Sequence, residues 1–243
     1  MTAKGRGAPV CPLGRYYTED EVARAIVARL ELDGVGVILE PSAGGGAFVR
    51  ALVERRRAEG LTYRILAVDV DAQASARDHL EPEHGDAFAV LDFLDVLAWP
   101  EAWPSRVDLA VGNPPYSIRV LVLDEEGQPQ RYPEGHKRAG ELVDRTIEVA
   151  TDHALRCLEL AARAVLLFRE GFAGSVERYA RLWARGTLIR QDTLIPRPSF
   201  TGGSTDATEY AAFTLDAKGG HRAAKKGWIV WSEGSPTGRR RRG

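Results

Sequence analysis

Residues 34–60, GVGVILEPSAGGGAFVRALVERRRAEG, decide the fold. The apolar run up to Leu39 has the length and β-branched content of a short buried strand. The segment PSAGGG breaks that strand, and AFVRALVERRRAEG resumes as a helix ending at Gly60. Three glycines between a buried strand and a helix let the backbone come close to a ligand, because they lack Cβ and tolerate positive φ. Glu40 closes the strand, where its carboxylate can face a cationic ligand at the sheet's carboxyl edge. The lysine of a triphosphate-binding loop is missing, so the turn suits an uncharged or cationic nucleoside better.

Working outward, YRILAVDVD (63–71) is a second buried strand, and Asp69 near its end is placed to take a ribose diol. A helix is expected around 72–80, a third strand in AFAVLDFLD (87–95) and a fourth in RVDLAVG (106–112). Upstream, YYTEDEVARAIVARLEL (16–32) carries Val22, Ile26, Val27 and Leu30 at helical spacing, with Thr18 as N-cap and Glu21 completing a capping box. Downstream, the polar stretch 117–139 reads as a protruding hairpin or a mobile loop. A long helix over about 140–160 follows, then a strand in RAVLLFRE (163–170), a helix near 174–184, GTLIRQDTLI (186–195) and a strand in EYAAFTLD (209–216). GWIVWSE (227–233) could add an edge strand. Continuous apolar strands alternating with helices indicate an α/β fold with a doubly wound, mostly parallel sheet of about seven strands, helices on both faces. One domain over 15–232 is expected, between a Gly/Pro-rich arm at 1–14 and a disordered basic tail at 233–243.

The composition narrows the function classes. Lys+Arg is 33 against Asp+Glu 34, so the chain lacks the strongly basic balance of a domain that only grips nucleic acid. Two cysteines without CxxC spacing and five scattered histidines make neither a disulfide framework nor a metal site. No signal peptide and no apolar run of membrane-spanning length is present, which points to a cytoplasmic protein.

Four stretches carry a resemblance: RYYTEDEVARAIVARL, ILEPSAGGGAF, AVDVD, and VLDFLDVLAWPEAWPSRVDLAVGNPPY. Together they resemble the motifs of S-adenosylmethionine-dependent amino-methylating DNA methyltransferases, N6-adenine branch, in the gamma order of that family. The resemblance implies a Rossmann-like class I methyltransferase fold, S-adenosylmethionine as cofactor and DNA as partner. It implies that Glu40, Pro41, Ala43, Gly44, Gly46 and Phe48 cradle the methionine part of the cofactor, and that Tyr17 and Thr18 contact its amino-acid end. Asp69 would take the ribose hydroxyls, with Val70 beside the adenine; Asp92 would accept from the adenine amine, and Phe93 would meet its N1. Asn113, Pro114, Pro115 and Tyr116 are the catalytic tetrapeptide, with Asn113 also at the cofactor. Glu19 departs from the family, where proline commonly follows the threonine.

The tetrapeptide has a chemical rationale. An exocyclic base amine is a poor nucleophile because its lone pair is delocalised into the ring. Two acceptors in tetrahedral directions, the Asn113 side-chain carbonyl and the Pro114 backbone carbonyl, favour pyramidal nitrogen and return the lone pair to it. Successive prolines fix φ near about −65° and so aim those acceptors in advance. Tyr116 offers a stacking face to a base flipped out of its duplex, and Phe200 in RPSFTGGSTDATEY is the candidate for the other face. The sulfonium is already activated, so no metal is needed.

The same tetrapeptide occurs in relatives acting on N2 of guanine in RNA or N5 of protein glutamine; methylation of N4 of cytosine is chemically adjacent, although serine in place of Asn113 is more usual there, and a non-catalytic subunit could keep the fold. Only about 27 residues follow Asp216, so relaxed site specificity, or a separate specificity subunit as partner, is expected. The insert at 117–139, with Arg131, His136, Lys137 and Arg138, is the candidate in-chain reading element, and Arg239–Arg242 are candidate phosphate contacts.

Overall fold

The computed structural model of the chain describes residues 17–198, 208–221 and 223–231. The arm at 1–14, Phe200 and the basic tail at 233–243 lie outside the described residues. Contacts divide the chain into two compact units, one built on Tyr17–Pro114 and the chain from Thr151 onward, the other on Pro115–Ala150.

The larger unit begins with helix α1 (Asp20–Val27), strand β1 (Val37–Glu40), helix α2 (Ala47–Glu59) and strand β2 (Arg64–Asp69). Strands β3 (Ala87–Val90) and β4 (Val107–Gly112) follow. The smaller unit contributes β5 (Ser117–Leu121) and β6 (Asp144–Glu148). Helix α3 (Ala150–Leu160), β7 (Ala161–Arg169), α4 (Val176–Arg181), β8 (Leu188–Ile195), β9 (Tyr210–Asp216) and β10 (Lys225–Val230) complete the chain.

Eight strands form one sheet in the order β10-β8-β9-β7-β4-β1-β2-β3. Only β9 runs antiparallel to its neighbours; the other pairings are parallel. The count exceeds the expected seven because β10 pairs parallel with β8 at the edge. Strand order reverses between β1 and β4, and in open α/β sheets ligands bind beyond the carboxyl ends of the strands at such a reversal. Register places Leu39 of β1 opposite Leu66 of β2 and Ala110 of β4, so Glu40, Asp69 and Gly112 all finish at that edge.

The sheet's centre is apolar on both faces: Ile38, Leu39, Ile65 to Val68, Ala110, Val111, Leu166, Phe168 and Ala211 to Phe213 are buried. α1 packs through Val22, Ala23, Ile26 and Val27, the face its spacing foretold. α2 ends at Gly60, whose φ of 66° provides the left-handed cap that glycine adopts without strain.

Three local expectations are corrected. Over 72–80 the chain forms a 3₁₀ turn (Ser75–His79) rather than an α-helix. There Asp71 accepts the Gln73 N–H at 3.0 Å, a local bond that competes with helix formation. The long helix expected from about 140 starts only at Ala150, because 144–148 pair antiparallel with 117–121 as a hairpin. Its tip is closed by Asp124, which accepts from Glu126 N and Gln128 N, with Gly127 at a φ of 78°. Finally, the N-cap of α1 is Glu19, not Thr18, and it makes no side-chain capping bond.

One buried charge cluster ties α2 to the strands beside it. Arg56, 1% exposed, donates to Tyr63 O (2.8 Å), to both Asp86 carboxylate oxygens (2.8 and 2.7 Å) and to Glu81 (2.7 Å). Asp86 also accepts from Ile65 N and Glu81 N, so the cluster locks β2 to the turn before β3. Removing one partner of a buried pair strands the other charge in a low dielectric. Arg56→Leu is therefore expected to cost about 3–5 kcal/mol in urea-denaturation stability. A loss within the roughly 0–1 kcal/mol of a surface pair would show that the cluster does not hold the fold.

Candidate functional site

The turn after β1 is fixed by backbone bonds. Ala43 N donates to Val68 O at 2.9 Å, and Gly44 N donates to Asp69 Oδ2 at 2.7 Å. Gly46 N closes the turn on Ala43 O at 2.8 Å, and Ala76 N reaches Gly44 O at 3.1 Å. Gly44 and Gly46 have φ of 44° and 79°, in the left-handed region that favours glycine. Gly45 is needed for a different reason: a Cβ there would lie 2.9 Å from Cδ1 of Tyr17, whose ring covers the turn.

Asp69 takes Gly44 N on one oxygen and Asp71 N, at 2.8 Å, on the other. A carboxylate offers about four lone-pair positions, so the side chain keeps acceptor capacity for hydroxyl groups at the strand end. Val70 beside it is 55% exposed, and Asp92, after β3, is also exposed. Leu91 N donates to Asp69 O at 3.1 Å, which holds the Asp92 segment next to the end of β2.

Glu40 is 1% exposed and accepts from Ser42 N at 3.2 Å. Burial pushes its pKa well above the usual carboxylate range, and the charge of Asp69 adds to the rise, while the bond from Ser42 opposes it. Gly112 of β4 makes room for this carboxyl: a Cβ there would collide with Glu40 Oε1. Cys157 on α3 is fully buried, and burial together with Glu40 raises its thiol pKa, leaving it an unreactive floor residue.

Asn113 directly follows β4, and its Nδ2 donates to Thr18 Oγ1 at 3.1 Å. Thr18 is thus drawn away from its expected capping role and instead orients the amide through an N–H. Phe93 is 4% exposed and stacks on His153 of α3, ring centroids 5.4 Å apart. Burial lowers the His153 pKa to about 4, although Asp92 and Asp152 pull it upward. Its Nδ1 has no hydrogen-bond partner among the described residues.

The structure therefore brings Tyr17, Thr18, Glu40, Pro41, Ala43, Gly44, Gly46, Asp69, Val70, Asp92 and Asn113 to the same carboxyl edge of the sheet. Phe48, on the first turn of α2, is buried in the core behind the glycine turn, and Phe93 is buried against α3. Pro114 is buried and ends the first stretch of the larger unit. Pro115 and Tyr116 open the smaller unit, where Tyr116 O accepts from Val149 N at the hairpin base. In the hairpin Arg131 donates to Gly140 O, Arg138 pairs with Glu141 and Asp144, and His136 stacks on Tyr132. Seven carboxylates against five Lys/Arg between 117 and 148 give this element no excess of positive charge. The sequence reading missed Gly45, Gly112, Arg50 and His153. A third glycine in the run was a visible signal for the first; the others have none, since their roles depend on what crosses them.

Among the described residues no group of three or more His, Cys, Asp or Glu is placed to hold a metal ion, and no helix is long and apolar enough to cross a membrane.

No family model matches the chain. It is 33% identical over 132 residues to the Type II methyltransferase M.TthHB8I of Thermus thermophilus, across 54% of this chain and 25% of that protein. The chain thus spans about a quarter of that relative's length. Among solved structures it superposes with a TM-score of 0.61 on a Listeria monocytogenes protein assigned to the class I S-adenosylmethionine-dependent methyltransferases, at 13% identity over 92% of this chain and 68% of that one. A methyltransferase subunit of a type I restriction-modification system from Streptococcus thermophilus gives 0.56, at 17% identity over 83% and 44%. The chain has the class I methyltransferase fold: a mostly parallel α/β sheet of Rossmann-like winding.

The buried imidazole has a pH signature. A histidine ordinarily titrates near about 6.5, and here the folded value falls to about 4. The unfolded chain therefore binds the proton first, and stability present above about 6.5 is lost as pH falls toward 4, by up to about 1.4 kcal/mol per unit. His153→Phe keeps an aromatic against Phe93 and is expected to flatten the stability profile between pH 6.5 and 4, measured as urea midpoints. Parallel profiles for the two proteins would contradict the buried, neutral assignment.

Proposed function

We propose that the chain is an S-adenosylmethionine-dependent DNA methyltransferase that methylates N6 of adenine. The observation that carries the proposal is the placement of Asn113 beyond β4, its amide oriented by Thr18, at the sheet edge that also ends in the glycine turn, Glu40 and Asp69. The likeness to a Type II methyltransferase and to a type I methyltransferase subunit supports a DNA substrate.

The residues fit the cofactor. The glycine turn carries no side chains of its own, Asp69 keeps lone pairs for a diol, and Glu40 is a buried carboxyl with a raised pKa that a cationic group would drive to ionise. Glu40, Pro41, Ala43, Gly44, Gly46, Tyr17 and Thr18 would hold the methionine end, Asp69 the ribose, and Val70 and Asp92 the adenine, with the buried Phe48 and Phe93 supporting them from the core. When bound, S-adenosylmethionine supplies a methyl group already activated by its sulfonium.

Asn113 and the Pro114 carbonyl accept the two amine hydrogens, so the nitrogen lone pair is no longer shared with the ring. Both acceptors are neutral and fixed, and they act without waiting for a proton transfer. Held this way, the nitrogen would present its lone pair to the methyl group that the cofactor would supply, and the amine proton released on transfer would pass to solvent. Tyr116, and Phe200 outside the described residues, would hold the flipped base between flat faces. A separate specificity chain is the proposed partner.

Preorganised polar groups of this kind are typically worth about 10²–10³ in rate. Asn113→Ala is accordingly expected to keep cofactor binding by calorimetry while labelled-methyl transfer falls at least about 10²-fold. Asp69→Ala should do the reverse, losing cofactor affinity first. Incubation with labelled cofactor and separate DNA, RNA and protein substrates, followed by nucleoside analysis, tests the acceptor. Label in N6-methyladenine supports the proposal; label in N4-methylcytosine, in RNA or in protein overturns it.

A further inference from the structure

Arg50, on the first turn of α2, makes three side-chain bonds to three different segments. Its Nη1 donates to Gly45 O at 2.6 Å and to His79 Nε2 at 2.8 Å; its Nη2 donates to Asp20 Oδ1 at 2.5 Å. Gly45 is the middle of the glycine turn, His79 ends the 3₁₀ turn whose Ala76 bonds Gly44, and Asp20 opens α1 two residues after Thr18. The guanidinium is about 29% exposed on its side chain, so water does not screen it fully. Its fork spans bonds that a single ammonium could not make together.

The crowding around Gly46 shows what the fork holds in place. A Cβ at Gly46 would lie 2.9 Å from Ala76 Cα and from His79 Cδ2, so the 3₁₀ turn presses directly on the glycine turn. Tyr17 crowds Gly45, where a Cβ would lie 2.9 Å from its Cδ1. Without Arg50 the turn would keep its own short bonds, but nothing charged would fix the two flanking segments to it.

We infer that Arg50 is a positioning residue for the cofactor: it holds the glycine turn, the start of α1 and the 3₁₀ turn in the one arrangement that binds S-adenosylmethionine. This rests on reading the glycine turn as the cofactor loop. Arg50 touches neither the methyl group nor the base, so its loss should be felt in cofactor affinity and much less in turnover at saturating cofactor. The bond to Asp20 reaches the first residue of α1, two positions after Thr18.

The test is calorimetric titration of S-adenosylmethionine into wild type, Arg50→Met, Arg50→Lys and Asp20→Asn, with the thermal midpoint of each measured alongside. A lost charge-assisted bond corresponds to roughly tenfold or more in affinity. Arg50→Met is therefore expected to raise the Kd, and the KM for cofactor, by about tenfold or more while kcat at saturation stays within about twofold. Arg50→Lys should recover part of the affinity and Asp20→Asn should lose part of it, which separates positioning from a general loss of folding. Folded Arg50→Met that binds as wild type overturns the inference, as does a fall confined to kcat. Wild type that binds no S-adenosylmethionine sinks the cofactor reading itself, a result distinct from either.

Discussion

The bond from Gly44 N to the Asp69 carboxylate is the constraint on which the site depends. It joins the turn after β1 to the end of β2, and Ala43 N on Val68 O repeats the link on the main chain. Because β1, β2 and β4 are parallel and in register, this one junction sets the level at which Glu40, Asp69 and Asn113 leave the sheet. Two positive-φ glycines give the backbone the curvature it needs, and Gly112 clears the space that the buried Glu40 carboxyl fills. A Cβ at Gly46 would run into Ala76 and His79, and one at Gly112 into Glu40, neighbours that other bonds already hold.

The electrostatics of the edge follow from that packing. Glu40 is desolvated, which raises its pKa well above the usual carboxylate range, whereas Asp69 is held by backbone donors and faces more water. Two carboxyls one strand apart are thereby given different tasks by their surroundings. Asn113 adds an uncharged acceptor whose orientation is set through its N–H by Thr18. Uncharged acceptors suit the proposed chemistry, since polarising an amine does not require removing its proton first.

Much of this was legible in the sequence. The apolar runs at 35–39, 64–68 and 107–111 became β1, β2 and β4, since strands covered on both faces leave an unambiguous pattern. Gly60 ended α2 where expected. The failures are those where a long-range partner overrides local preference. Thr18 looked like a cap but is used by Asn113, 95 residues away. The segment 140–148 has helix-forming residues, yet pairing with 117–121 makes it a strand. Residues 72–80 turn tightly because Asp71 and Gly44 take their amide groups. Arg50 and His153 could not be singled out, because an arginine on an amphipathic helix and a histidine among apolar residues are ordinary until their neighbours are known.

The most direct test is a crystal structure of the chain with S-adenosylhomocysteine bound. The expected result is a ligand whose amino-acid end lies on the glycine turn beside Glu40, whose ribose hydroxyls are accepted by Asp69, and whose sulfur faces Asn113. A ligand bound elsewhere, or an Asn113 amide turned away from the sulfur with no space for a purine ring between them, would contradict the account.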